Sequence, residues 1–358
     1  MRTKTMEGDN ELMDNERWQP ESSEALDAVE AVIHTSSKKS FAASLFPCRG
    51  DTKRDRRRKV ILDIALMVVF LSAIVLVWAT VIDPGSHTSL QDDLYDDSAV
   101  VSTEPGEELP VEEEPAEPAR PRKSDAELKE MNSDYVGWIK APGGEIDLPV
   151  VQTANNNYYL YRNFARKPSR YGNPFLDQYV NLDPKSTNLI IYGHHMRNDG
   201  SIFTKLLEYQ KVDTVKAHPI ITFELPNEIL LFKIFAVVTV NGRAIDDNGY
   251  VFHANTPEFS GKSSFEGYVR QLEQRTFVKT GVDVKYGDTL ISLQTCQYEF
   301  TDQYLYVVGR LVRPGESPSV DPNQIIKNPD PRLPQALLTK RGLENHYRDA
   351  EQWKAPGE

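Results

Sequence analysis

Thr289-Leu-Ile-Ser-Leu-Gln-Thr-Cys-Gln-Tyr-Glu-Phe-Thr-Asp-Gln-Tyr-Leu-Tyr-Val-Val-Gly-Arg-Leu-Val312 holds two apolar runs, Thr289–Thr295 and Tyr304–Val312, separated by a polar stretch. Short runs rich in Leu, Ile, Val and Tyr with polar or turn-forming borders read as strands. Working outward, the same pattern recurs at Gly137–Lys140, Asp147–Val151, Asn188–Tyr192, Ile220–Leu225 and Ile229–Val240, each bounded by Gly, Pro, Asn or Asp. Helical stretches are few. Ser124-Asp-Ala-Glu127 is a capping box opening a short helix; a second helix is expected over Ser201–Tyr209 and a third from Ser263, with Glu266 as its box partner, through Gln274. At least seven strands with few helices in about 190 residues predict a mainly β domain, a closed or nearly closed barrel with helices in its connections. No internal repeat is present.

Five regions follow from composition: a polar tail with a basic end at 1–59, an apolar segment at 60–82, an acidic Pro/Glu-rich linker at 83–123, the β domain at 124–315 and a Pro-rich tail at 316–358. The 19 residues Ile64–Ile82 carry no charge. At about 1.5 Å per residue they are long enough for one transmembrane helix, with Trp78 near one end where an aromatic belt would lie. Arg49–Lys59, just before it, holds seven Lys/Arg against two Asp, so the N-terminus is expected to stay cytoplasmic and the β domain to lie outside the cell membrane. A cleaved signal peptide fits poorly, because its apolar core is usually only about 7–15 residues and sits near the start of the chain.

The 358 residues carry a formal charge of −12. That excludes an electrostatic nucleic-acid binder. Most of the charge sits in Asp83–Arg122, where 12 acidic residues face two arginines. A self-repelling Pro/Glu segment with little to bury is a stalk rather than a binding face. Both termini read as poorly ordered or loosely attached tails. The two cysteines, Cys48 and Cys296, fall on opposite sides of the apolar segment, so two free thiols are expected.

Cys296 is the one thiol beyond that segment. It sits where an apolar strand gives way to Gln297-Tyr-Glu299, and it reads either as a nucleophile at a barrel rim or as a buried core thiol. Gly193-His-His-Met196 follows the strand Leu189–Tyr192 directly, a placement that exposes an imidazole at a strand end. A metal pair is not expected, since adjacent residues on extended chain point apart and no further ligand motif accompanies them; no cofactor is implied. A lone Cys and a strand-end His together suggest acyl transfer through a thioester.

The segments Asn132–Lys140, Ile146–Gln152, Asn157-Tyr-Tyr-Leu160, Phe175-Leu-Asp177, Ile190-Ile-Tyr-Gly-His-His-Met196, Ser201-Ile-Phe203 and Leu293-Gln-Thr-Cys-Gln-Tyr-Glu-Phe300 resemble, in order, a class B sortase. The resemblance implies an eight-stranded sortase barrel on the outer face of a Gram-positive cell membrane. It further implies a cysteine transpeptidase acting on surface proteins with a C-terminal sorting motif, of the Leu-Pro-x-Thr-Gly or Asn-Pro-x-Thr kind. Cys296 would attack the threonine carbonyl. His194 would serve as acid and base, and His195 as a rim or packing residue. The acceptor would be an amine of a peptidoglycan precursor or a pilin lysine. With ordinary values near 8.5 and 6.5, thiolate and imidazolium coexist in only about 1% of molecules. A catalytically silent stalked β-domain binding a surface ligand, and a hydrolytic cysteine protease, are the rival readings.

Two departures stand out. Gln294 occupies the position two before the cysteine where the family commonly has a small hydroxyl residue. The family arginine normally begins the next strand, which here starts Tyr304-Leu-Tyr306 and offers only Arg310. If Cys296 pairs with about Tyr306, Arg310 lies four residues along, roughly 13 Å away. Arg310 is therefore either the oxyanion and substrate-orienting group, brought closer by a longer loop, or a salt-bridge residue on the strand surface, in which case Tyr304, Tyr306 or a backbone N–H takes the oxyanion role or the enzyme is impaired.

Overall fold

The computed structural model describes residues 61, 64–72, 93–95, 122–197, 199–244 and 249–357. The described strands are β1 (Tyr135–Ala141), β2 (Ile146–Val151), β3 (Phe175–Leu176), β4 (Asn188–Tyr192), β5 (Ile220–Leu225), β6 (Glu228–Asn241), β7 (Val278–Lys279), β8 (Leu290–Gln297), β9 (Gln303–Leu311) and β10 (Ile326–Lys327). Eight of them close into a barrel in the order β1-β2-β3-β4-β8-β9-β6-β5, with β5 pairing back onto β1. All seven apolar runs are strands in it; the eighth, β3, is two residues long and too short to show a pattern. Within the barrel β2–β3 and β4–β8 are the parallel pairs. The second of these sends two consecutive chain exits, after Tyr192 and after Gln297, toward the same rim.

β9 shows why its sequence is a nearly unbroken apolar run. Leu305 and Val307 point into the barrel among Ile291, Leu293 and Val237, while Tyr306 and Val308 point outward into a second cluster with Tyr268, Leu272 and Trp353. A strand buried on both faces loses polar alternation. The outer cluster is covered by the longest described helix, Lys262–Arg275. Its N-cap is Gly261 with no side-chain cap bond, so the Ser263/Glu266 box does not form and the helix starts one residue earlier. The box at Ser124 does form, opening the helix Asp125–Met131 with both reciprocal bonds. The stretch expected as a helix over Ser201–Tyr209 is a 3₁₀ segment, Thr204–Gln210, running into a short α-helix, Val212–Ala217.

The C-terminal segment corrects the expectation of a loose tail at 316–358. Ile325 is fully buried, β10 pairs with β7, and Leu337 on the helix Gln335–Arg341 is fully buried. Trp353 packs among Phe252, Phe259 and Tyr268, and its indole N–H donates to the Ser264 carbonyl at 2.8 Å. The Pro-rich composition removes helical periodicity but not the ability to bury scattered anchors. Part of the linker is likewise held. Leu94 is buried with Leu128, Tyr135 and Trp138, Tyr95 lies edge-on to Trp138, and Arg122 bonds Asp125 and Glu224 at 2.9 Å each. A short apolar pair inside an acidic stretch was hidden by the average charge.

In the apolar segment, residues 64–72 are helical and their large apolar side chains are exposed, Phe70 at 67% and Val69 at 64%. No helix among the described residues is long and apolar enough to cross a membrane. The rest of the expected transmembrane helix, the tail 1–59 with Cys48, and most of the linker lie outside the described residues.

Candidate active site

Tyr192 on β4 pairs with Gln294 on β8. The ladder continues one step further: the Gly193 N–H donates to the Gln294 carbonyl at 3.0 Å, and the Thr295 hydroxyl donates to the Gly193 carbonyl at 2.8 Å. His194 and Cys296 are thus the next residues, two beyond a matched pair, on adjacent parallel strands about 4.8 Å apart. Gly193 is required for this. A Cβ there would lie 2.4 Å from the Phe203 ring, closer than any side chain could be accommodated.

The His194 Nε2–H donates to the Leu160 carbonyl at 2.6 Å. That bond leaves Nδ1 as the basic nitrogen of the neutral ring. His195 faces elsewhere: its Nδ1–H donates to the backbone carbonyl of Cys296 at 2.8 Å, its ring lies 4.9 Å from Tyr298, and its own carbonyl accepts from the Tyr298 hydroxyl at 3.2 Å. By strand register His194 is the residue beside Cys296 on the adjacent strand, while His195 clamps the backbone carbonyl of Cys296. The Arg197 guanidinium stacks over Tyr298, 3.8 Å from its centroid.

Cys296 is a free, partly exposed thiol. Burial pushes its pKa up, and the Asp302 carboxylate adds to the rise. Burial pushes both histidines down, against the opposing bonds from Leu160 and Cys296 carbonyls. The two values move apart, so neutral thiol and neutral imidazole dominate the empty site even more than ordinary values imply.

Arg310 is not part of this arrangement. Cys296 pairs with Tyr304, not Tyr306, and Arg310 pairs with Leu290, six residues from the cysteine on the ladder, or roughly 20 Å. Its side chain is 1% exposed, and every nitrogen is engaged: Nε donates to the Asp283 carbonyl at 3.2 Å, Nη1 to the Leu311 carbonyl at 3.0 Å and to Glu316, and Nη2 to Glu316 at 2.9 Å. The longer loop that would have slid it closer does not exist; β9 begins at Gln303, so the register shifts the other way. Arg310 is a buried ion-pair residue, too far along the ladder from Cys296 to orient its substrate. Gln294, the other departure, accepts from the Tyr306 hydroxyl at 2.5 Å.

Sequence reasoning, which named Tyr304 and Tyr306 as donors should Arg310 fail, did not place three features of the site. Tyr304 is the residue directly across from Cys296. Asp302 adopts a left-handed backbone with φ 54° at the turn into β9 and is the carboxylate that the thiol senses. Glu299, in the loop after the cysteine, is gripped by the C-terminal helix, with Arg341 Nη2 2.8 Å from its carboxylate and Lys340 bonding its carbonyl. The first two lay in the quoted stretch and needed only the register; the third joins residues some forty apart and has no local signal.

No family profile matches the chain. Sortase B of Listeria monocytogenes is 33% identical over 193 residues, 53% of this chain and 72% of that protein. Sortase B of Staphylococcus aureus is 28% identical over 188 residues, 52% of this chain and 73% of that protein. Among solved structures, Clostridium perfringens sortase B is 31% identical, with a TM-score of 0.49 over 53% of this chain and all of that one. By its sequence identity to the Listeria enzyme over nearly three quarters of that enzyme's length, this chain belongs to the class B sortases, the cysteine transpeptidases whose eight-stranded barrel the sequence implied.

Proposed function

We propose that Cys296 is the nucleophile and His194 the acid and base of a transpeptidation that cleaves a C-terminal sorting motif after threonine and joins the protein to an amine. The observation that carries the reading is the pairing of chain exits. Cys296 and His194 follow adjacent parallel strands to the same rim, one residue past a matched ladder. The Cys296 thiol gives its proton to His194, and Sγ bonds the threonine carbonyl carbon. Collapse of the tetrahedral adduct breaks the C–N bond as the imidazolium protonates the departing amine. An incoming amine then attacks the thioester, losing its proton to His194 and releasing the thiolate. The acceptor is an amine of a peptidoglycan precursor or a pilin lysine.

The surroundings suit a reaction in which thiol reactivity is withheld until substrate arrives. With the Cys pKa raised and the His pKa lowered, water and stray electrophiles meet mostly neutral thiol. A single membrane span with a cytoplasmic N-terminus would hold the enzyme near substrates that carry their own anchors, raising effective concentration. Incubation of the full chain with a panel of sorting-motif peptides and candidate amines, read by mass spectrometry, tests the reading. The expected result is a Cys296 thioester resolved to amide product in proportion to added amine. Product release unaffected by amine would indicate a protease, and no adduct with any peptide would indicate a binding domain.

A further inference from the structure

A tetrahedral adduct at Cys296 places negative charge on the former carbonyl oxygen, and that charge needs a donor. Arg310, roughly 20 Å along the ladder, cannot supply it. Tyr298, Tyr304 and Tyr306 lie near enough to the thiol to sense its charge, and Tyr192 pairs with Gln294 two residues before it. The Tyr306 hydroxyl is committed to Gln294 at 2.5 Å, that of Tyr192 to Asp177 at 2.8 Å, and that of Tyr298 to the His195 carbonyl at 3.2 Å. Tyr304 is different. It is the direct cross-strand partner of Cys296, and its hydroxyl makes no hydrogen bond among the described residues.

Directly paired residues on antiparallel strands share a face, with Cβ atoms about 4.5–5.5 Å apart. A phenol ring is longer than a thiol side chain, so on the shared face the Tyr304 hydroxyl can stand further from its strand than the sulfur. The ring itself is confined by Gly242, whose position would put a Cβ 2.7 Å from Tyr304 Cε2. A confined ring with an uncommitted donor is the arrangement that electrostatic preorganisation calls for. The hydroxyl stays protonated across the working range, since burial first, then Asp302 and Cys296, push its pKa up to about 12.

We propose that Tyr304 is a catalytic residue of this sortase, its phenol donating a hydrogen bond to the oxyanion formed when Cys296 attacks the threonine carbonyl. This rests on the transpeptidase reading above. No proton is transferred to or from Tyr304. As the S–C bond forms, the carbonyl π pair moves to oxygen and accepts the phenol O–H; as the C–N bond breaks, the pair returns and the hydrogen bond weakens. A tyrosine thus stands where the resemblance leads one to expect an arginine, a neutral donor in place of a cationic one.

The test compares Tyr304→Phe, Tyr306→Phe and wild type in the full chain, with a sorting-motif peptide that acylates the wild type. Three quantities are read: kcat and KM for thioester formation, the rate of Cys296 alkylation by iodoacetamide, and thermal stability. The expected result for Tyr304→Phe is a kcat about 10²-fold lower with KM within about threefold, as for loss of one oxyanion donor, and unchanged alkylation and stability. Tyr306→Phe, which loses a committed hydroxyl, should lower kcat far less than Tyr304→Phe. A kcat for Tyr304→Phe within threefold of wild type overturns the proposal, as does an equal fall in alkylation, which would mean that the phenol tunes the thiol instead. A wild type that forms no thioester with any peptide overturns the transpeptidase reading and this one with it. Acylation that survives the hydroxyl's loss overturns only the tyrosine.

Discussion

The two ends of the β8–β9 ladder share one pair of strands and one outward face, yet they do opposite things with polar groups. At one end Leu290 pairs with Arg310, and the guanidinium is spent entirely on Glu316, Asp283 and backbone carbonyls, with Lys233 closing the network onto Glu316 at 2.7 Å. At the other end Cys296 pairs with Tyr304, the thiol and the phenol hydroxyl have no hydrogen-bond partner among the described residues, and burial, with the Asp302 carboxylate adding to it, pushes the thiol away from ionising. Satisfied buried charge holds structure together, because removing either partner strands the other. Groups with uncommitted capacity at a rim are available to a ligand. The charge of a residue is therefore a poor guide to its role here, and the strongest cation on the strand is the structural one.

The sharpest way to break this contrast is at the cysteine. Cys296→Ala should abolish thioester formation and transfer while leaving unfolding by denaturant nearly unchanged, because a partly exposed strand-end position tolerates a smaller side chain; residual thioester would remove Cys296 from the mechanism. Next comes the choice of imidazole. His194→Ala should lower kcat/KM by about 10²–10⁴, the usual value of a positioned acid and base. His195→Ala, which loses a backbone clamp, should cost far less, and the reverse order would show that the half-buried ring does the proton transfer.

The satisfied end makes the opposite prediction. Arg310→Ala should cost about 3 kcal/mol of stability, the scale for breaking a buried ion pair, with activity per folded molecule changed less than threefold. The same network predicts acid sensitivity. The Arg310 guanidinium holds the Glu316 carboxyl well below its usual 4.5, so its stabilisation is complete above that pH and is lost as pH falls below it. Glu316→Gln should flatten this acid limb in a pH series of denaturation midpoints, and an unchanged limb would place the titrating group elsewhere. The smallest effect is expected at Asp302. Asp302→Asn should lower the thiol pKa and raise alkylation at neutral pH by about threefold, the scale of half a pKa unit. No change would leave burial as the sole cause of the raised value. In kcat/KM, lowered His and raised Cys values predict a plateau wider than 6.5 to 9.0, falling on the acid side below the first and on the alkaline side above the second.

Sequence alone determined the barrel, because strands buried on both faces must be apolar for their full length, and that signal is local. It located Asn188–Tyr192 and Ile220–Leu225 at their true bounds and put Cys296 and His194 at strand ends. It also supplied the Ser124 cap, whose two bonds lie within four residues. What it could not supply was anything set by pairing. The register placing Tyr304 rather than Tyr306 against Cys296 depends on where the turn at Asp302 begins β9, and a shift of two residues preserves every alternation, so no pattern distinguishes the alternatives. The C-terminal segment stayed illegible for a related reason. Ile325, Leu337 and Trp353 are isolated anchors separated by polar and proline residues, and partners far away in the chain decide their burial: Trp353 joins the cluster of the helix Lys262–Arg275 and the outer barrel wall, and Ile325 joins the barrel core. Arg310 combined both difficulties: its charge was visible in the sequence, but only the tertiary structure brought Glu316 and Asp283 to it and so decided that it holds the fold rather than the substrate.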